Sequence, residues 1–165
     1  MTKAHTDSTT VSTSSVDPTV AAGAAQFLSP VVLGLQALVV NGKQAHWHVR
    51  GANFVGVHEL LDVIVDHAGD WADTAAERIV ALGLPIDARL STIAGKVTPT
   101  AVPAGFTASD EMVRDVIADM DAVLADLQAA IDGLDEVDLT SQDVAIEIKR
   151  GLEKDRWFLV AHVSA

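Results

Sequence analysis

The chain has 165 residues, a formal net charge of −12, 49% hydrophobic residues and no cysteine. That length fits one domain with a single core, and the acidic balance argues against a surface that grips nucleic acid, which needs clustered Lys and Arg. Without cysteine there is no disulfide, thiolate zinc site or iron–sulfur cluster, so any metal must be held by His and carboxylates.

Residues 1–22 are rich in Ser and Thr, with Lys3 as the only formally basic side chain, and read as a flexible tail. The start has no apolar core of the signal-peptide kind, so the expected compartment is the cytoplasm. Residues 23–165 read as one four-helix bundle. A first helix is expected from the N-cap pair Ser29-Pro30 to about His48, preceded by a turn through Ala24–Leu28. The apolar run "FLSPVVLGLQALVV" inside it is short and holds Pro30, so no membrane span is expected. After the turn "GANF", a second helix runs from about Val57 to Leu82, closed by Gly83 with Pro85 beyond. Residues 84–108 form a long crossover in which "ARLSTIAG" supplies one short helix. A third long helix spans Ser109 to about Leu134, and a fourth about Gln142 to Val163. Four amphipathic helices with one long crossover make an all-α bundle.

The second helix carries an unusual stripe. At about 100° per residue, His58, Asp62, Asp66, Asp73 and Glu77 fall within about 100° of one another. Leu61, Ile64, Val65, Ala68, Ala72, Ala75 and Ile79 gather on a separate apolar face. The stripe holds no lysine or arginine, unlike an exposed face laced with ion pairs. Gly69 lies within it, where a close helix crossing has a use for glycine. Asp62 and Asp73 stand about 16 Å apart along a helix, too far to share one metal within a chain. Yet His58 and Glu77 are symmetric about the midpoint between His67 and Ala68, and so are Asp62 and Asp73. Two copies packed antiparallel about a two-fold there would set each end of the stripe against the other end of its mate, giving two complete sites per dimer. "KQAHWHVRG" offers His46 and His48 as further nitrogen ligands.

The stretch "KQAHWHVRGANFVGVHELLDVIVDHAGDWADTAAERIVALG" resembles the signature of the Dps-type miniferritins, a branch of the ferritin-like superfamily. The spacings from His46 to His58, to Asp62, to Asp73 and to Glu77 agree with that family's pattern, and "WFLVAH" resembles the end of its last helix. The resemblance implies a ferroxidase centre between subunits, with His46, His58 and Asp62 from one chain and Asp73 and Glu77 from its two-fold mate. It further implies a hollow dodecameric shell that oxidises Fe(II), preferably with hydrogen peroxide, and stores ferric mineral against oxidative stress. Imidazole and carboxylate together suit both iron oxidation states. Trp47 resembles the family's proposed electron relay, or is an aromatic packed at the dimer seam. The family more often has asparagine at His48, which here adds a ligand or caps the helix. Asp66 and Asp70 offer a second, weaker iron site or a water-bridged one, and His67 reads as structural.

In the family the start of the last helix lines acidic three-fold pores, which would be Asp138, Asp143 and Glu147 here. Asp143, three residues after Thr140, also reads as a capping-box partner. Two other functions remain. "HELLD" is one residue from the His-Glu-x-x-His zinc-protease motif, so a metal-dependent amide or ester hydrolase at the same site is one alternative. A DNA-compacting protein is the other, opposed by the charge and the lysine-poor tail; direct DNA binding is not expected.

Overall fold

The computed structural model describes residues 16–164. It holds α1 (Pro18–His48), β1 (Val49–Arg50), α2 (Phe54–Ala81), α3 (Leu90–Lys96), β2 (Thr107–Ala108), α4 (Ser109–Leu134) and α5 (Leu139–Val163). The four long helices pack as a square in which α1 touches α2 and α4, and α5 touches α2 and α4, with little contact across the diagonals. The core lies along the axis, where Leu35, Leu61, Ile64, Met120, Leu127 and Leu152 are all fully buried. All seven residues of the expected apolar face of α2 are buried, as a 3.6-residue period requires.

β1 and β2 form a two-residue parallel pair, Val49 opposite Thr107 and Arg50 opposite Ala108. It ties the end of α1 to the start of α4, and the Ser109 hydroxyl adds a hydrogen bond to the Ala52 carbonyl. The starts of α2 and α4 therefore share one end of the bundle, and the segment between them must travel its full length. That is the long crossover, and α3 sits within it.

Four points differ from expectation. First, α1 starts at Pro18, twelve residues before Pro30, so the span read as a tail is helical from Pro18; residues 1–15 lie outside the described residues. The cap is Asp17, whose carboxylate accepts the Thr19 N–H at 2.8 Å, with Pro18 in the first turn. Pro30 sits inside the helix rather than at its start. It removes one hydrogen bond there, and the Ser29 hydroxyl donates to the Ala25 carbonyl at 2.5 Å one turn back.

Second, the apolar run lies in a longer helix than expected. By length and composition α1 is long and apolar enough to cross a membrane, and half of that window is buried within the fold. Its apolar side chains, among them Leu28, Val31, Leu35 and Leu38, fill the bundle core.

Third, α5 starts at Leu139, not Gln142, and the cap is Asp138 instead of the expected Thr140–Asp143 box. The Asp138 carboxylate accepts the Thr140 N–H at 3.3 Å, the Ser141 hydroxyl at 2.5 Å and the Arg78 guanidinium at 2.6 Å. Arg78 on α2 thus fixes the cap from outside the helix, which local sequence does not reveal. Fourth, helix α2 starts three residues earlier than expected, after Asn53 in the left-handed conformation with φ 57°.

Candidate metal centre

The last turn of α1 and the first turns of α2 are joined by a short connection, which lays His46 beside His58. The rings stack with centroids 3.6 Å apart and planes 22° from parallel. Each imidazole is tied to the other's backbone: His46 Nδ1 lies 2.8 Å from the His58 carbonyl, and His58 Nδ1 lies 2.9 Å from the His46 carbonyl. A carbonyl only accepts, so both Nδ1 atoms carry the proton and both Nε2 atoms keep a lone pair, the form in which imidazole binds a cation. The His46 carbonyl is available because it belongs to the last, unsatisfied turn of α1. His46 is 7% exposed, and the Phe54 ring, 5.0 Å from His58, walls the other side.

Asp62, one turn beyond His58 on α2, brings Oδ1 to 3.1 Å from His46 Nδ1. The same oxygen takes the Lys43 ammonium at 2.5 Å. The hydrogen bond from Lys43 holds the Asp62 carboxyl below the usual carboxylate range against partial burial, and the Lys43 charge adds to the pull. Lys43 was missed by a reading of the α2 stripe alone, because it reaches in from α1. The signal was present one turn ahead of His46, in "KQAHWH".

The structure gathers His46, His58 and Asp62 and leaves Asp73 and Glu77 apart, exposed at the far end of α2. Neither acid makes a hydrogen bond or ion pair among the described residues. No group of three His, Asp or Glu side chains within the described part of one chain is arranged to hold a metal. Asp66 and Asp70 are likewise exposed, between the two ends. Gly69 makes no close approach within its own chain; a Cβ there would meet only Val39, at 3.9 Å.

Trp47, next to His46 in the chain, is 60% exposed. His48 bonds through Nδ1 to the Gln44 carbonyl at 2.8 Å, which closes the last turn of α1, and its ring centroid lies 5.6 Å from that of Phe106. His67 is tied to Asp155, a carboxylate only 2% exposed, at 2.8 Å, and its ring rests 5.3 Å from that of Trp71. At the start of α5, Asp138 is engaged by Arg78, while Asp143 and Glu147 lie exposed one turn apart. Glu59, the acid of the "HELLD" motif, is solvent-exposed.

A family model described as the ferritin-like domain matches residues 33–165. The DNA protection during starvation protein of Mycolicibacterium smegmatis is 37% identical over 132 residues, covering 74% of this chain and 67% of the relative. That of Agrobacterium fabrum is 35% identical over 122 residues, covering 73% and 75%. Among solved structures, Dps from Microbacterium arborescens in the high iron form is 69% identical, covers 92% of this chain and 99% of its own, and superposes with a TM-score of 0.90. Dps from Mycobacterium smegmatis is 29% identical, covers 92% and 86%, and gives 0.86. With the family model, the relatives and the four-helix architecture in agreement, the chain belongs to the ferritin-like family, in its Dps branch.

Proposed function

We propose that this protein is a cytoplasmic iron-storage and stress-protection protein, a ferroxidase whose centres are shared between two-fold-related chains of a dodecameric shell. One half-centre is His46, His58 and Asp62; the partner subunit's Asp73 and Glu77 complete it. The observation that carries this reading is the reciprocal tethering of His46 and His58, which leaves two Nε2 lone pairs beside an ionised Asp62 while the remaining acids stand unengaged a helix length away.

Fe(II) is the substrate. Two ions each give up one electron, hydrogen peroxide accepts both, and with two protons it leaves as two waters. Matching two one-electron donors to a two-electron oxidant releases no hydroxyl radical. The residues of this chain supply the nitrogen and oxygen ligands, and the carboxylates favour the harder Fe(III) product, which moves on to mineral. Asp143 and Glu147, with Asp138 behind them, would form an acidic entrance that concentrates Fe(II).

Sharing is tested by co-assembly. His58→Ala and Asp73→Asn chains are each expected to oxidise Fe(II) poorly alone. Mixed in equal amounts before assembly, they should recover about one quarter of wild-type activity, since only mixed dimers own an intact centre and each owns one. No recovery in verified mixed shells would sink the shared site. Storage is tested separately by adding Fe(II) anaerobically, then peroxide, and sizing the product. Iron should co-elute with a shell-sized particle, and an iron-free small species would overturn the cage.

A further inference from the structure

Between α1 and α4, roofed by residues 96–101, runs a groove of about 880 Å³, within the range of small-molecule sites. Apolar side chains, chiefly Leu33, Ala37, Pro99 and Ala122, make the larger part of its walls, with Ser29 and Thr98 in the polar remainder. Two carboxylates enter it, and they differ. Asp119 is saturated by the roof and α1: it accepts the Thr100 hydroxyl at 2.5 Å, the Ala101 N–H at 3.1 Å and the Asn41 amide at 3.4 Å. Asp126 accepts nothing among the described residues. Lys96, the one base lining the groove, makes no ion pair with either acid.

Asp126 reaches this position because Gly34 faces it. A Cβ at Gly34 would stand 3.2 Å from Val123 and 3.6 Å from Asp126 Oδ2. The absent side chain lets the two helices approach and sets the carboxylate against the groove wall. Burial alone pushes the Asp126 carboxyl above its ordinary value. No donor of the groove bonds Asp126 among the described residues, so the carboxylate is open to a cation that brings its own.

We propose that this groove binds small primary amines with an apolar body, held as ammonium ions by Asp126. A primary ammonium offers three donors to two open carboxylate oxygens, and its hydrocarbon body covers the alanine and proline wall. Asp119 and Asp126 outnumber Lys96 and would repel a carboxylate ligand, and an alcohol would leave the charge unpaired. The inference does not rest on the ferroxidase reading, because Asp126 lies outside that centre.

The test uses the assembled full-length protein and n-hexylamine, followed by saturation-transfer NMR. Hexylammonium should bind saturably with a Kd of about 1–10 mM, and 1-hexanol and hexanoate at least about tenfold more weakly. Asp126→Asn should weaken hexylammonium by about tenfold or more while leaving hexanol and iron oxidation unchanged. Ala122→Phe, which fills the groove without touching the charge, should abolish binding of both ligands. Equal binding of hexanol and hexylammonium would overturn the proposal, as would an Asp126→Asn shell that binds the amine as before. Absence of saturation in the wild type would overturn it too.

Discussion

Asp62 Oδ1 is claimed twice, by an imidazole at 3.1 Å and by the Lys43 ammonium at 2.5 Å. A cation placed there by the protein itself competes with any metal that uses the same oxygen. Lys43→Met should therefore raise the affinity of the assembled protein for Co(II), a divalent ion that peroxide does not consume here, by about tenfold. Anaerobic calorimetry reads this, and an unchanged or weaker isotherm would show that the lysine only holds Asp62 in place. His67 presents the opposite balance. Its partner Asp155 is buried at 2% exposure, so His67→Leu leaves a carboxylate without a donor and should cost about 1–3 kcal/mol in denaturant unfolding. His67→Leu combined with Asp155→Leu should recover most of that loss, because an apolar pair strands no polar group.

At the scale of elements, the caps decide what the sequence reveals. The seven apolar positions of α2 were legible because periodicity acts locally, and α4 starts at Ser109 as expected although Ala108 gives it no side-chain cap. The start of α1 was not: Ser29-Pro30 has the form of a helix start, and only packing of Leu28 and Ala24 into the core carries the helix on through it. The start of α5 was misplaced for a related reason, since Asp138 is held by Arg78 from another helix. Burial pushes the Asp138 carboxyl up, but hydrogen bonds from Ser141 and Arg78 outweigh it, so the net value lies below the ordinary 3.8. A depressed folded value stabilises the fold above pH 3.8 and loses that contribution as pH falls through the folded value. Asp138→Asn should accordingly lower Tm near neutrality, with the gap to wild type closing below pH 3.8. A gap that stays constant with pH would mean that capping, not charge, is the contribution.

On the scale of the whole molecule, a net charge of −12 opposes close approach to a polyphosphate. Assembled protein is expected to retard duplex DNA weakly or not at all in electrophoresis at low salt; strong retardation that fades with salt would show that local basic groups overrule the total. Of the candidate centre, the meeting of His46, His58 and Asp62 follows the spacings that the sequence displays, while the pairing with Asp73 and Glu77 belongs to the two-fold proposal. The paired backbone tethers of His46 and His58 were not legible, since they depend on two helices meeting. The separation of Asp73 and Glu77 from the imidazoles also bears on the life of a newly made chain. Under the two-fold reading, a polypeptide fresh from synthesis carries all five ligands but gathers only His46, His58 and Asp62, an incomplete centre. Oxidation then begins only once a mate has docked, so a lone chain binds iron weakly and leaves it unoxidised.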